Sequence, residues 1–176
     1  TFLIAAVILG GEITIGDIIP KHLEAVLVAL RKSGADIDVG ENSVSIRMHQ
    51  RPHAVDISAR EYPNFPTDLQ PQWCVLAAIA VGHSRVVDHV FPSRFDHMVE
   101  LEKTGVKYQK LDQGVLIEGV ASLTGSSVYA KNLRSAAALV LGGMVADGKT
   151  NIIKISELNR GYPDFFLKVD NIVAAK

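Results

Sequence analysis

The sequence predicts a mixed α/β fold assembled from repeated β-α-β-α-β-β units, and three observations carry that prediction. The chain matches itself without a gap from Phe2 to Ile46 when shifted by 71 positions. Gly11 then falls on Gly82, Asp17 on Asp88, Leu30 on Leu101, Lys32 on Lys103, Gly34 on Gly105, Val44 on Val115 and Ile46 on Ile117. A further shift of 66 carries Gly82 to Gly148, Val86 and Val87 to Ile152 and Ile153, and Arg94 to Arg160. Periods of this length are supersecondary units whose stacked copies bury a shared core. The second observation is a set of apolar runs of helix length punctuated by glycine. The third is the short, alternating, β-branched stretches between them.

The middle copy, about residues 51–120, shows each element in order. An extended segment, "HAVDIS" (53–58), leads to an apolar helix, "WCVLAAIAVG" (73–82), with Gly82 expected as its C-cap. A β-branched strand, "RVVDHV" (85–90), follows. Met98, Leu101 and Glu102 then mark an amphipathic helix stopped by Gly105, as Leu27, Leu30 and Arg31 precede Gly34. Two alternating strands, "VKYQKL" and "GVLIEG", close the unit through a hairpin at Asp112-Gln113-Gly114. The first copy, about 1–50, lacks a leading strand, and the third, about 121–176, stops inside its second helix. The chain therefore reads as one domain belonging to a longer protein. Residues 135–148, "SAAALVLGGMVADG", are apolar nearly all round, so three such helices are expected at the centre with sheets outside them.

Composition narrows the function. Apolar residues at 48% and a net charge of −1 describe an ordinary globular chain, with no basic cluster or aromatic ladder to hold nucleic acid. The longest apolar run, residues 2–11, is too short to span a membrane and lacks the basic flank of a leader. The single cysteine, Cys74, follows Trp73 in an apolar helix and reads as a packing thiol; one cysteine fits a reducing, cytoplasmic setting. The six histidines show no ligand spacing inside one element, and no phosphate-binding glycine loop is present, so neither metal nor cofactor is expected.

Departures between copies locate the chemistry. Arg94 and Arg160 occupy equivalent strand-to-helix corners where the first copy has Leu23, so the fold does not require arginine there. Guanidinium is always charged and grips carboxylate or phosphate with paired hydrogen bonds. Arg134 opens an apolar helix, where its charge opposes the helix dipole, and Asn132 before it suits the N-cap. Asp68 lies in "YPNFPTDLQPQ" ahead of another apolar helix. It is open to two readings: a dipole-complementing residue beside a Thr67–Gln70 capping box, or a ligand for a substrate hydroxyl. Together Asp68, Arg94, Arg134 and Arg160 outline an anion-binding face.

The strings "FPTDLQPQ", "FPSRFDHMVEL", "GVASLTGSSVYAKNLRSAAALVLGGMVADGKT" and "LNRGYPDF" resemble the carboxy-terminal domain of the enolpyruvyl transferases that act on UDP-N-acetylglucosamine in peptidoglycan synthesis. The resemblance runs from Thr1 to about Lys168. It implies an inside-out α/β barrel domain, one of two that close on substrate. It further implies that Asp68 binds, and is a candidate base for, the sugar hydroxyl, and that the Val90 backbone contacts the nucleotide sugar. Arg94, Arg134 and Arg160 would hold the phosphate and carboxylate of phosphoenolpyruvate, with Asp68 and Arg160 the catalytic candidates. Asn132 and Asn159 stand where the family carries aspartate. The family's cysteine-bearing loop and its amino-terminal lysine–asparagine pair have no counterpart here, which assigns them to an amino-terminal domain outside these residues. Alone, the chain is expected to be inactive. The competing expectation is a divergent, non-catalytic nucleotide-sugar-binding domain of the same fold.

Overall fold

Three apolar helices form the centre of the molecule, and their positions follow the internal repeat. The computed structural model describes residues 1–173. Helix α1 (Phe2–Leu9) buries every side chain from Leu3 to Ile8. Strand β1 (Glu12–Ile15) follows, then a 3₁₀ turn (Pro20–Leu23) running into α2 (Glu24–Lys32), and the hairpin β2 (Asp36–Val39) and β3 (Val44–Arg47). The second unit comprises β4 (Ile57–Ala59), a 3₁₀ turn (Thr67–Leu69), α3 (Gln70–Ile79), β5 (His83–Asp88), α4 (Asp96–Glu102), β6 (Lys107–Leu111) and β7 (Gly114–Glu118). The third has the short strands β8 (Leu123–Thr124) and β9 (Ser127–Tyr129), then α5 (Leu133–Val145). It continues through β10 (Ala146–Asp147), β11 (Asn151–Ile153), a 3₁₀ segment (Ile155–Arg160) and α6 (Phe165–Val173).

Helices α1, α3 and α5 pack on one another, and the sheets lie outside them. Such helices have no polar stripe to expose, so each is stable only when surrounded. Trp73, Leu76, Leu139 and Leu141 are almost wholly excluded from solvent, and a Cβ at Gly142 would press on Leu101 of α4 at 3.2 Å. The sheets repeat as well. β1-β3-β2 is antiparallel; β4-β5-β7-β6 adds β4 in parallel beside β5. β5 is the repeat equivalent of β1, so the first unit has the same sheet without its leading strand. In the third unit β8 and β9 run parallel to β10 and β11, with α5 as the crossover.

Two local expectations are corrected. Thr67 and Gln70 do not form a capping box, because a 3₁₀ turn separates Thr67 from the start of α3. Thr67 Oγ1 donates instead to the carboxylate of Asp88 at 2.5 Å, a charge-assisted bond stronger than one to a backbone N–H, and Gln70 Nε2 faces Cys74 Sγ at 3.2 Å. Gly82 is also not the cap of α3, which ends at extended Ala80; only α1, among the three central helices, ends on a left-handed glycine, Gly10. The carbonyls at the α3 terminus are taken by Arg51, whose guanidinium donates to Ile79 O, Ala80 O and Val120 O at 2.7, 2.9 and 2.7 Å. Helix α5 ends at Val145, earlier than the apolar pattern suggests, because Ala146 and Asp147 pair with β8.

Candidate functional site

Asp68 sits in the turn before α3, and Arg134 in the first turn of α5. Packing α3 against α5 brings these turns together: Arg134 Nε donates to Asp68 Oδ1 at 2.5 Å. The cation that opposes the α5 dipole is thus offset by a carboxylate from the turn that leads into the neighbouring helix. Arg94 approaches the same oxygen, with Nη1 4.0 Å from Asp68 Oδ1, and its guanidinium lies over the Phe91 ring 3.3 Å from the centroid. Stacking on Phe91 limits where that guanidinium can point. Arg94 Nη1 is buried and donates no hydrogen bond among the described residues. Two guanidinium groups face the single exposed carboxylate of Asp68, so more cationic donors converge here than that carboxylate can satisfy.

Asn132 is the N-cap of α5, accepting from the N–H groups of Arg134 and Ser135 at 3.1 and 3.0 Å, while Ser135 Oγ accepts from the Asn132 N–H. Aspartate and asparagine cap equally well, so an amide at this position leaves the helix start intact. Asn159 is exposed.

Val90 lies in the loop after β5. Its N–H and that of Phe91 donate to Asp88 Oδ1 at 2.9 and 2.8 Å, which fixes the loop beside the Asp68 turn. Arg160 stands apart from Asp68 in its bonding: its side chain is 70% exposed and Nη1 bonds Glu157 Oε2 at 3.0 Å. That bond holds the Glu157 carboxyl below its usual range, burial opposing and Lys154 assisting. The Arg160 backbone nonetheless lies at the same end of the helix cluster, since a Cβ on Gly161 would meet Leu133 Cδ2 at 2.8 Å. Tyr162 extends this end, its hydroxyl 2.6 Å from Thr1 Oγ1 and accepting from Gln72 Nε2 at 3.2 Å. The starts of α1, α3 and α5 therefore share one pole.

The structure brings Asp68, Arg94, Arg134 and the Val90 loop together and leaves Arg160 at the rim, held by Glu157. Sequence reasoning read Thr67 only as a helix cap and gave no role to Asp88 and Phe91, and these three residues organise the cluster. A signal for Asp88 was present in the alignment of Asp17 with Asp88 across the repeat. Cys74 is fully buried; burial pushes its thiol well up, and the Gln70 amide only partly counters this, so it is a packing group. The cluster is open, and a cavity of about 590 Å³ lies elsewhere, between Phe2, the β1 strand and Lys168. No helix among the described residues is long and apolar enough to cross a membrane.

Comparison with known proteins is consistent over nearly the whole chain. The family model of EPSP synthase (3-phosphoshikimate 1-carboxyvinyltransferase) matches residues 1–169. UDP-N-acetylglucosamine 1-carboxyvinyltransferase of Halorhodospira halophila is 43% identical over 162 residues, covering 92% of this chain and 39% of the relative. The enzyme of the same name from Chlorobaculum parvum is 37% identical over 174 residues, 99% of this chain and 41% of the relative. The crystal structure of the enolpyruvyl transferase NikO from Streptomyces tendae superposes with a TM-score of 0.84 at 26% identity, covering 99% of this chain and 41% of that one. EPSP synthase from Acinetobacter baumannii shares the fold, with a TM-score of 0.74 at 16% identity over 97% of this chain and 44% of that one. The chain spans about two fifths of the length of the curated relatives it matches.

Proposed function

Because the chain belongs to the EPSP synthase family of enolpyruvyl transferases, we propose that it is the carboxy-terminal domain of an enzyme moving the enolpyruvyl group of phosphoenolpyruvate to the 3-hydroxyl of UDP-N-acetylglucosamine. The acceptor is inferred from relatives of that name at 37–44% identity. The observation that carries the reading is the meeting of Asp68 with Arg94 and Arg134.

In this reading Asp68 accepts a hydrogen bond from the sugar hydroxyl and orients it, and is the candidate base. The Val90 backbone contacts the nucleotide sugar. Arg94 and Arg134, with Arg160 reaching in from the rim, hold the phosphate and carboxylate of phosphoenolpyruvate. The hydroxyl oxygen bonds to C2 as C3 gains a proton, giving a tetrahedral ketal. Loss of the C3 proton and departure of phosphate complete the transfer. Guanidinium groups stabilise the leaving anion, and alignment by a rigid scaffold lowers the barrier. The chain forms one domain of three repeated units, about 1–50, 51–120 and 121–176, and the rest of a cytoplasmic protein supplies the other wall of the cleft.

The test is phosphate release by the full-length protein with both substrates. Release that requires UDP-N-acetylglucosamine supports the reading; none with either substrate, alone or together, contradicts it. Residues 1–176 alone should bind UDP-N-acetylglucosamine weakly at best in calorimetry and release no phosphate.

A further inference from the structure

Asp88 is fully buried at the end of β5 and has no cationic partner among the described residues. A buried carboxylate without a counter-charge is costly unless several donors converge on it. Here three do. Oδ1 accepts from the N–H groups of Val90 and Phe91 at 2.9 and 2.8 Å, and Oδ2 accepts from Thr67 Oγ1 at 2.5 Å. Each donor leads to the cluster. Thr67 is adjacent to Asp68 in the same 3₁₀ turn, and Phe91 supports the Arg94 guanidinium. One side chain therefore ties the turn bearing the hydroxyl ligand to the loop bearing the anion ligand.

The internal repeat supplies a control. Asp17 is the equivalent residue in the first unit, where it is exposed and adopts a left-handed φ of 55°. A strand-to-helix corner of this fold can thus be built without burying the carboxylate. Burial and triple bonding occur in the unit that carries Asp68 and Arg94.

We infer that Asp88 is a positioning residue for the transfer reaction, setting the separation of Asp68 and Arg94 through Thr67 and Phe91; the inference rests on the function proposed above. Asp88→Asn preserves the arrangement, because its oxygen can keep both backbone donors while its amide donates to a reoriented Thr67 hydroxyl. Asp88→Ala removes both links, and Thr67→Val removes only the link to the Asp68 turn.

The experiment is steady-state phosphate release by the full-length protein carrying Asp88→Ala, Asp88→Asn or Thr67→Val, alone and combined with Asp68→Ala, paired with amide hydrogen exchange. Misplaced groups cost about 10²-fold when alignment is the catalytic contribution. Thr67→Val and Asp88→Ala are expected to lower kcat by ~10- to 100-fold with KM for UDP-N-acetylglucosamine within ~3-fold, and Asp88→Asn to restore kcat to within ~3-fold. In the Asp68→Ala background Thr67→Val should cost under ~2-fold more. Normal kcat in both single variants, or the full loss repeated without Asp68, overturns the inference. Should the unaltered protein release no phosphate, the transferase reading fails separately, and exchange at Val90 and Phe91 still decides the link. Asp88→Ala should speed exchange at those two amides by ~10-fold or more, leaving the core amides protected. Unchanged exchange there would refute it.

Discussion

Arg134 and Asp68, 66 positions apart in the chain, share a hydrogen bond of 2.5 Å at the common pole of two buried helices. The side chains are 35% and 62% exposed, so as an isolated ion pair they stabilise the fold by only about 0–1 kcal/mol. Arg134→Gln should accordingly shift stability by less than ~1 kcal/mol in urea titration. On the proposed function its effect on phosphate release should be far larger, ~10²-fold in kcat/KM, because that reading makes Arg134 a donor to the leaving anion. Arg134→Lys should recover only part of this, since a lysine cannot reproduce the paired geometry.

Acid should weaken the fold through His97. Its imidazole is buried in α4, and burial lowers its pKa to about 4 despite the opposing charge of Asp96. The unfolded chain binds a proton near pH 6.5 and the folded chain resists it, so stability is full above that pH and falls as pH drops toward 4. Between pH 7 and pH 5 the loss is roughly 2 kcal/mol. Urea midpoints at the two values, compared with His97→Leu, check this; the variant should show a shallower dependence. Glu100 acts in a lower window. Burial would raise its pKa, but the Lys103 bond and the Tyr129 N–H outweigh it, so its contribution holds above about pH 4.5 and is lost as pH falls through the lowered folded pKa.

The end of α3 depends on Arg51. Its three bonds to Ile79, Ala80 and Val120 carbonyls join a loop to a helix terminus. Arg51→Ala should cost about 1–3 kcal/mol in denaturant unfolding, and lysine should not replace it, having no planar fork to span the three acceptors. Trp73→Ala in the same helix, which removes the Phe65 edge contact and the bond to Val55 O, should cost about 3–5 kcal/mol.

The central helices, the β6–β7 hairpin and the repeat were legible because local rules carry them: apolar runs, alternating strands and a two-residue connection at Asp112-Gln113. Arg94 stood out because its equivalent in the first unit is leucine. The Thr67 hydroxyl could not be read locally, because its partner Asp88 is 21 residues away and competes with the nearby helix N–H groups. The same holds for Glu100, whose buried carboxylate accepts from the Tyr129 N–H across 29 residues. Helix ends were misplaced where tertiary partners took over, as Arg51 does at α3 and β8 at α5. Spacing specifies which face is buried; it does not specify which polar groups meet once burial has occurred.

The most direct measurement is the rate of phosphate release from phosphoenolpyruvate by the full-length protein, before and after Asp68→Ala. With UDP-N-acetylglucosamine present, the unaltered protein should turn over, and loss of this one carboxylate should lower kcat by ~10²-fold or more while the melting temperature holds. An alanine variant that keeps turning over within ~2-fold of the original would mean the acceptor hydroxyl is handled elsewhere.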